Sequence, residues 1–311
     1  MNRELILIMH VYTLVRSDLI SDKWVPPYPD RLDSRLVFVN SLLSAPSQDD
    51  VTSMIPRNID VAGLERRALR AWPALHTQYI GGWACRASLG YTKRANSMTP
   101  LEPTSDFTSL RPAFERFALD HGIPCTIRIT PLAPPETDEA CAQAGYKVVD
   151  PSVVMALPSL RAIPPLPLPN VRHMPTADTA WLEGYASSSR LKPDQARAHE
   201  AILAAVEPEA TFTSISSTEG GSERAVAVGY AVLDEGMIGL FDILVDEAYR
   251  GRGLGKSVVL SLLAWGKEKG ATGAYLQVVE RNVAATRLYE APGFEHAYRY
   301  HYRQCVLRSE C

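Results

Sequence analysis

The stretch Gly239–Lys256, GLFDILVDEAYRGRGLGK, decides how the chain is read. An apolar run leads into an acidic, aromatic turn and then into Arg250-Gly251-Arg252-Gly253-Leu254-Gly255. Apolar residues follow at Val258, Val259, Leu262 and Leu263, the spacing of one helix face. Lys267, Glu268 and Lys269 end that helix and Gly270 caps it. The order is strand, glycine loop, helix. Glycines at the mouth of a helix let the backbone approach a ligand. The free N–H groups and the helix dipole then favour an anion, usually a phosphate. A nucleotide-hydrolysing P-loop needs G-x-x-x-x-G-K-[ST]. Gly255-Lys256-Ser257 fits its end, but the leading position, 250, is Arg. The dinucleotide fingerprint G-x-G-x-x-G also fails, because Gly251, Gly253 and Gly255 are spaced by two. The plain alternative is a tight turn with no ligand.

What fits is R-x-x-G-x-G, Arg250 to Gly255, after a strand ending in Leu244-Val245. This resembles the acyl-CoA-binding motif of the GNAT superfamily of N-acetyltransferases. Downstream, Ala274–Val279 reads as a buried strand, and Asn282 can cap a helix from Val283 to Glu290. Asn282, Ala285 and Tyr289 share a face of that helix. The string Asn282-x-x-Ala285-x-x-Leu288-Tyr289-x-x-x-Gly293-Phe294 is similar to the second GNAT signature. The resemblance runs from about Val171 to the C-terminus.

Composition agrees with a globular protein: 46% hydrophobic and 22% charged, over a length that allows two domains. A net charge of −3 gives no basic footprint for nucleic acid or an anionic membrane. Cys85, Cys125, Cys141, Cys305 and Cys311 are scattered without CxxC spacing, which points to reduced thiols in a cytoplasmic protein. No metal cluster is evident among the dispersed histidines. The apolar run Leu5–Val15 is too short to span a membrane and lacks the flanks of a signal peptide. Residues 1–53 are expected to be a poorly organised extension, with Pro26, Pro27, Pro29 and a polar run from Ser44 to Ser53; an ordinary N-terminal subdomain is the alternative.

After the extension, Val61–Ala71 reads as a helix, and Ile80–Ser88 and Lys93–Leu101 as strands. Thr108–Asp120 is a helix closed by Gly122, Pro124–Ile129 a strand, Glu136–Ala144 a short helix and Val148–Leu157 a strand. Pro158–Pro169 is proline-rich and is expected to be a stiff linker and a domain boundary. Beyond it come strand Val171–Met174, a helix capped by Thr176 or Asp178, and a helix from Pro193 to Val206. Three antiparallel strands follow at Thr211–Ser217, Arg224–Asp234 and Met237–Val245. The halves repeat at an offset near 148: Thr108–Asp120 answers Leu254–Lys269, and Glu136–Ala144 with Gly145-Tyr146 answers Asn282–Ala291 with Gly293-Phe294. Opposite the glycine loop the first half carries Glu102, Asp106 and no glycine, and opposite Tyr289 and Asn282 it has Cys141 and Pro134. The expected organisation is therefore a degenerate GNAT-like unit over 54–157, a linker over 158–169 and a catalytic GNAT domain over 170–311. The fold class is α+β: a GNAT-like mixed, mostly antiparallel sheet flanked by helices, present twice.

Acetyl transfer from a thioester to an amine needs four things. The resemblance implies that backbone N–H groups of Arg252 to Lys256 hold the CoA pyrophosphate, with Arg250, Gly251 and Lys256 beside them. It also implies that a backbone N–H among Ile243, Leu244 and Val245 polarises the thioester carbonyl where the strand splays from its neighbour. Tyr289 matches the residue that returns a proton to the departing thiolate, and Asn282 and Ala285 flank the cofactor. The base that frees the amine is left open among Asp242, Glu280, His301 and a water chain. No cysteine lies in a motif for an acyl-enzyme, so the amine attacks directly in a ternary complex. Acetyl-CoA is expected as co-substrate, with no metal. The expected partner is a small-molecule amine or amino-acid derivative, with no nucleic acid or membrane, and the chain is expected to be a monomer or homodimer. Acetylation of a peptide amine, acyl-CoA sensing without turnover and nucleotide hydrolysis are the rivals.

Overall fold

The computed structural model describes residues 59–102, 106–166, 170–219 and 221–307. The expected extension and the Leu5–Val15 run lie outside them. The first helix, α1 (Val61–Ala71), begins at Asp60, whose carboxylate accepts from the Gly63 N–H at 2.8 Å. Strands β1 (His76–Ile80), β2 (Trp83–Ala87) and β3 (Met98–Pro100) follow, then α2 (Phe107–Asp120), β4 (Cys125–Ile129), α3 (Thr137–Gln143) and β5 (Lys147–Leu157). Two expectations change here. The single strand Ile80–Ser88 is a hairpin, because Gly81 and Gly82 take φ values of +54° and +84° and turn the chain between β1 and β2. The strand expected over Lys93–Leu101 is reduced to β3, and Lys93–Ala95 forms a 3₁₀ turn.

The second half supplies β6 (Arg172–Met174), α4 (Thr179–Ser188), α5 (Pro193–Ala204), β7 (Ala210–Ser217), β8 (Arg224–Asp234) and β9 (Met237–Val245). Then come α6 (Leu254–Glu268), β10 (Gly273–Val279), α7 (Val283–Glu290) and β11 (Glu295–Cys305). Asp178, not Thr176, caps α4 by accepting from the Trp181 N–H at 2.9 Å. The strands, described as one sheet, run β1-β2-β3-β4-β11-β5-β10-β9-β8-β7-β6. Four strands lie on the β11 side of the β11–β5 pair and five on the β5 side, and the inner strands of the two sides match in direction. On one side β3 runs parallel to β4, and β4 pairs antiparallel with β11. On the other side β9 runs parallel to β10, and β10 pairs antiparallel with β5. The last strand of each half therefore sits beside the other half's strands, and the mixed sheet is continuous across the proline-rich stretch.

Period-two alternation assigns the faces. Tyr298, Tyr300 and Tyr302 of β11, Val154 of β5 and Tyr275 of β10 point toward the core shared with α1, α4 and α5. Val153, Met155 and Leu157 of β5 and Leu276 and Val278 of β10 point the other way, under α6 and α7. A third cluster packs α2 and α3 on β2, β3 and β4. The described part of the proline-rich stretch is no bare spacer. Leu160 and Ile163 are buried in the α6 core, and Lys267 donates to the carbonyls of Arg161 and Ile163 at 2.9 and 2.6 Å.

α1 is fixed to both halves. Glu65 and Arg128, 1% and 3% exposed, form a two-pronged buried ion pair at 2.8 and 2.9 Å, and Tyr298 donates to Glu65 at 2.7 Å. At its other end Arg67 and Arg70 pair with Glu235 and Asp234 in the β8–β9 turn. Among the described residues no helix is long and apolar enough to cross a membrane. Cys85, Cys125, Cys141 and Cys305 are free thiols.

Candidate active site

Strand β9 pairs with β10 only from Met237↔Gly273 to Leu240↔Leu276, and beyond that point the two parallel strands separate. A bulge causes the separation. On the other side of β9 the register slips so that Asp242 and Ile243 together oppose the single residue Gly229. Asp242 takes φ +50°, a conformation that Asp tolerates better than most residues. Ile243, Leu244 and Val245 lie just past the separation, still paired with β8 on one side through Leu244 and Val245. Ile243, Leu244 and Val245 therefore stand at the separation, and their apolar side chains pack against the core.

The glycine loop follows at once. Asp246 caps a 3₁₀ turn over Glu247–Tyr249 and is held by Arg224 at 2.7 Å, an ion pair that lowers the pKa of its carboxyl. Arg224 and Arg252 lie on the Tyr249 ring at 5.3 and 4.7 Å. Gly251 and Gly253 take φ values of +77° and +81°, and a Cβ at either would meet nothing within 4 Å. They are required by the backbone, and they leave the mouth of α6 open. Gly253 is the N-cap and brings no side chain, so the first N–H groups of Leu254, Gly255 and Lys256 have no helical partner. Gly255 has a different duty. A Cβ there would sit 3.3 Å from Leu288 and 3.5 Å from Val245, so it lets α6 pack closely on α7 and β9. Arg250 donates to the Val245 carbonyl at 3.3 Å, and Arg252 pairs with Glu219 at 3.1 Å. Lys256 lines a small hollow with Leu260, Leu288 and Pro292.

On α7, Asn282 accepts from the Ala285 N–H at 3.2 Å and acts as the helix cap. Tyr289, one helix face further on, is buried against Phe294 with centroids 6.2 Å apart. Burial raises its pKa to about 12. Its neighbour Leu288 faces Gly255, which also faces Val245, so α7 lies beside the loop and the end of β9.

The three side chains weighed as base separate cleanly. Asp242 lies at the bulge, where Oδ2 accepts from His199 Nε2 at 2.7 Å and Oδ1 from the Tyr185 hydroxyl at 3.4 Å. Glu280 pairs with Arg299 at 2.9 Å on a half-exposed groove also lined by Val283, Arg287 and His296. His301 turns to α3, where Asp138 accepts from it at 2.7 Å together with Arg303. The structure brings together Asp242, Ile243, Leu244, Val245, the glycine loop and Tyr289, and elsewhere it holds Glu280 in an ion pair with Arg299 and His301 in a hydrogen bond with Asp138.

Three residues of the site escape the sequence reading. His199 lies on the buried face of α5 with Ala198, Ile202 and Leu203, and it contacts the Tyr185 and Trp72 rings at 4.3 and 5.8 Å. A lone histidine on an apolar helix face was the available signal. Tyr185 of α4 carries no comparable mark. Arg94 sits in a segment read as strand, yet its guanidinium reaches Asp242 at 3.9 Å.

The chain is similar to known proteins in sequence and in fold. The family model described as "Probable histone acetyltransferase Rv0428c C-terminal" matches residues 59–303. The chain is 31% identical over 250 residues to "Uncharacterized N-acetyltransferase YobR" of Bacillus subtilis (strain 168), across 78% of this chain and 98% of that protein. In fold it is similar to a GCN5-related N-acetyltransferase from Kribbella flavida, with TM-score 0.57, 16% identity, and 80% and 96% of the two chains covered. It is also similar to a tandem GNAT protein from the clavulanic acid biosynthesis pathway, with TM-score 0.54, 14% identity, and 82% and 90% covered. The sequence match across most of the chain and the splayed sheet beside a glycine-opened helix lead to one assignment: this chain is an acyltransferase enzyme and belongs to the GNAT-type N-acetyltransferases.

Proposed function

We propose that the chain transfers an acetyl group from acetyl-CoA to the primary amine of a small molecule or amino-acid derivative, by direct attack in a ternary complex. One observation carries this reading: the β9–β10 separation opens directly beside an α6 N-terminus that has no side-chain cap. The chain's residues fit acetyl-CoA there. N–H groups of Leu254, Gly255 and Lys256 suit a pyrophosphate, and the loop made by Gly251 and Gly253 has room for it. Acetyl-CoA supplies the activated acyl group. The backbone at Ile243–Val245 provides N–H donors for the carbonyl oxygen as it gains charge. Tyr289, kept protonated by burial, provides a proton for the thiolate. Asp242 takes the amine proton, directly or through water, and His199 and Tyr185 hold its carboxylate in place.

The first half is a degenerate GNAT-like unit in this reading, with boundaries 54–157, 158–169 and 170–311. The matching pairing on either side of β11 and β5 supports it, β3 parallel to β4 and β9 parallel to β10, and so does Asp106, which caps α2 where the glycine loop caps α6. A carboxylate there repels a pyrophosphate. The decisive experiment is the melting temperature with acetyl-CoA, with ATP as control, followed by CoA release over an amine panel. A rise with acetyl-CoA alone and amine-dependent CoA release are expected. A rise with ATP instead, or none, removes the cradle assignment.

A further inference from the structure

The acceptor side of the cleft contains a cation that comes from the other half of the chain. Arg94 stacks its guanidinium on the Trp72 ring at 4.5 Å, with the Phe241 ring at 5.7 Å. Stacking occupies the faces of the group and leaves its N–H fork free in plane. Its nearest charged partner among the described residues is Asp242, at 3.9 Å, an ion pair but beyond hydrogen-bonding reach. The side chain of Arg94 is 26% exposed, whereas that of Asp242 is 3% exposed. A guanidinium with donors to spare therefore lies beside the bulge, 3.9 Å from Asp242.

The segment that presents Arg94 is held by buried polar groups. Asn96, 5% exposed, accepts from the N–H groups of Ser88 and Gly90 at 2.7 and 3.0 Å and donates to the Tyr91 and Thr92 carbonyls at 2.8 Å each. Arg86, also buried, donates to the carbonyl of Arg94 itself at 2.7 Å and to that of Trp72. Thr92 takes φ +59°, costly for a β-branched residue, and the Trp72 indole N–H donates to its hydroxyl at 3.0 Å. Strain and buried hydrogen bonds spent on one short segment fix where one guanidinium points.

We propose that Arg94 is a specificity-determining residue that reads a carboxylate on the acceptor. Asp242 and Arg94 then present opposite charges 3.9 Å apart, the complement of an ammonium and a carboxylate on neighbouring atoms, as in an α-amino acid. The acceptor class is an amine with an adjacent carboxylate. This rests on the acetyl-transfer reading of the same cleft.

The test uses the full chain and pairs of acceptors that differ only in that charge: each common α-amino acid and its C-terminal amide, with acetyl-CoA binding measured first by calorimetry. Wild type is expected to prefer the carboxylate form by about tenfold or more in kcat/KM, the worth of one charge-assisted hydrogen bond. Arg94→Gln is expected to lose that preference through KM, and Arg94→Lys to keep part of it. Both should bind acetyl-CoA as wild type does. Equal or better use of the amides by wild type, or an unchanged preference in Arg94→Gln, overturns the inference while leaving acetyl transfer standing. If Arg94→Gln does not fold, the wild-type preference and Arg94→Lys decide. Absence of acetyl-CoA binding by wild type overturns the transfer reading and this inference with it.

Discussion

At the scale of single residues the site depends on groups kept in one protonation state. Burial raises the Tyr289 pKa from about 10 in an unfolded chain to about 12. Its neutral form thus contributes to stability fully below pH 10, and that contribution is lost as pH rises toward about 12. Tyr289 therefore keeps its proton across the working range. Tyr289→Phe is expected to lower kcat by roughly tenfold to a thousandfold, the range of positioned acid catalysis, with little change in KM. The alkaline limb of kcat below pH 10 should be shared by both enzymes; steady-state pH profiles check both points. His199 acts through Asp242. His199→Phe fills the ring's volume but removes the donor at 2.7 Å, leaving a carboxylate that is 3% exposed with one bond fewer. The expected loss is about 1–3 kcal/mol of unfolding free energy by denaturant titration. Turnover should fall further than acetyl-CoA affinity. Equal losses of both would reduce His199 to a packing residue.

At the scale of elements, the glycine loop and α6 act as one device. Gly253→Ala adds a Cβ into open space but forces φ +81° on a residue that resists it, so about 1–2 kcal/mol of stability is the expected cost. Gly253→Glu carries the same backbone cost and also places a carboxylate at the mouth of the helix. Their acetyl-CoA affinities should differ far more than their melting temperatures, which calorimetry and thermal unfolding compare directly; parallel changes would mean that the loop serves folding alone. This device was legible in the sequence because its parts are local. The strand, the three glycines, the Val258–Leu263 periodicity and the Asn282 cap are each defined by residues only a few positions apart along the chain. The hairpin at Gly81-Gly82 was locally marked too, yet the apolar run around it reads equally well as one buried strand. Arg94 and His199 were not legible as site residues. Each reaches the site by meeting Asp242, which lies far from both in sequence, and no periodicity encodes such a meeting. The bulge at Asp242 shows in sequence only as a charge interrupting an apolar run.

At the scale of the whole molecule, the spacing of about 148 residues between matching segments does not reveal that the last strand of each half sits among the other half's strands. Strand order is a property of pairing, and β5 and β11 have patterns that would suit either position. The exchange has a thermodynamic consequence. In the second half, β5 fills the slot between β10 and β11, where Val153, Val154, Met155 and Leu157 are all at most 6% exposed. Losing one such side chain costs about 2–5 kcal/mol. Losing four, with the ladder bonds on both sides of the strand, exceeds the roughly 5–15 kcal/mol that stabilises an ordinary domain. The fragment 170–311 is therefore expected not to give a soluble monomer by itself, although it contains the glycine loop, Asp242 and Tyr289. Co-expression with the fragment 54–166 should return a one-to-one complex that binds acetyl-CoA, because β5 and β11 can then take their places and Arg94 can reach Asp242. Size-exclusion chromatography with light scattering reads the outcome. A monomeric 170–311 fragment with a cooperative melt and an acetyl-CoA shift of its own would mean that the exchanged strands are dispensable and that each half closes its own sheet.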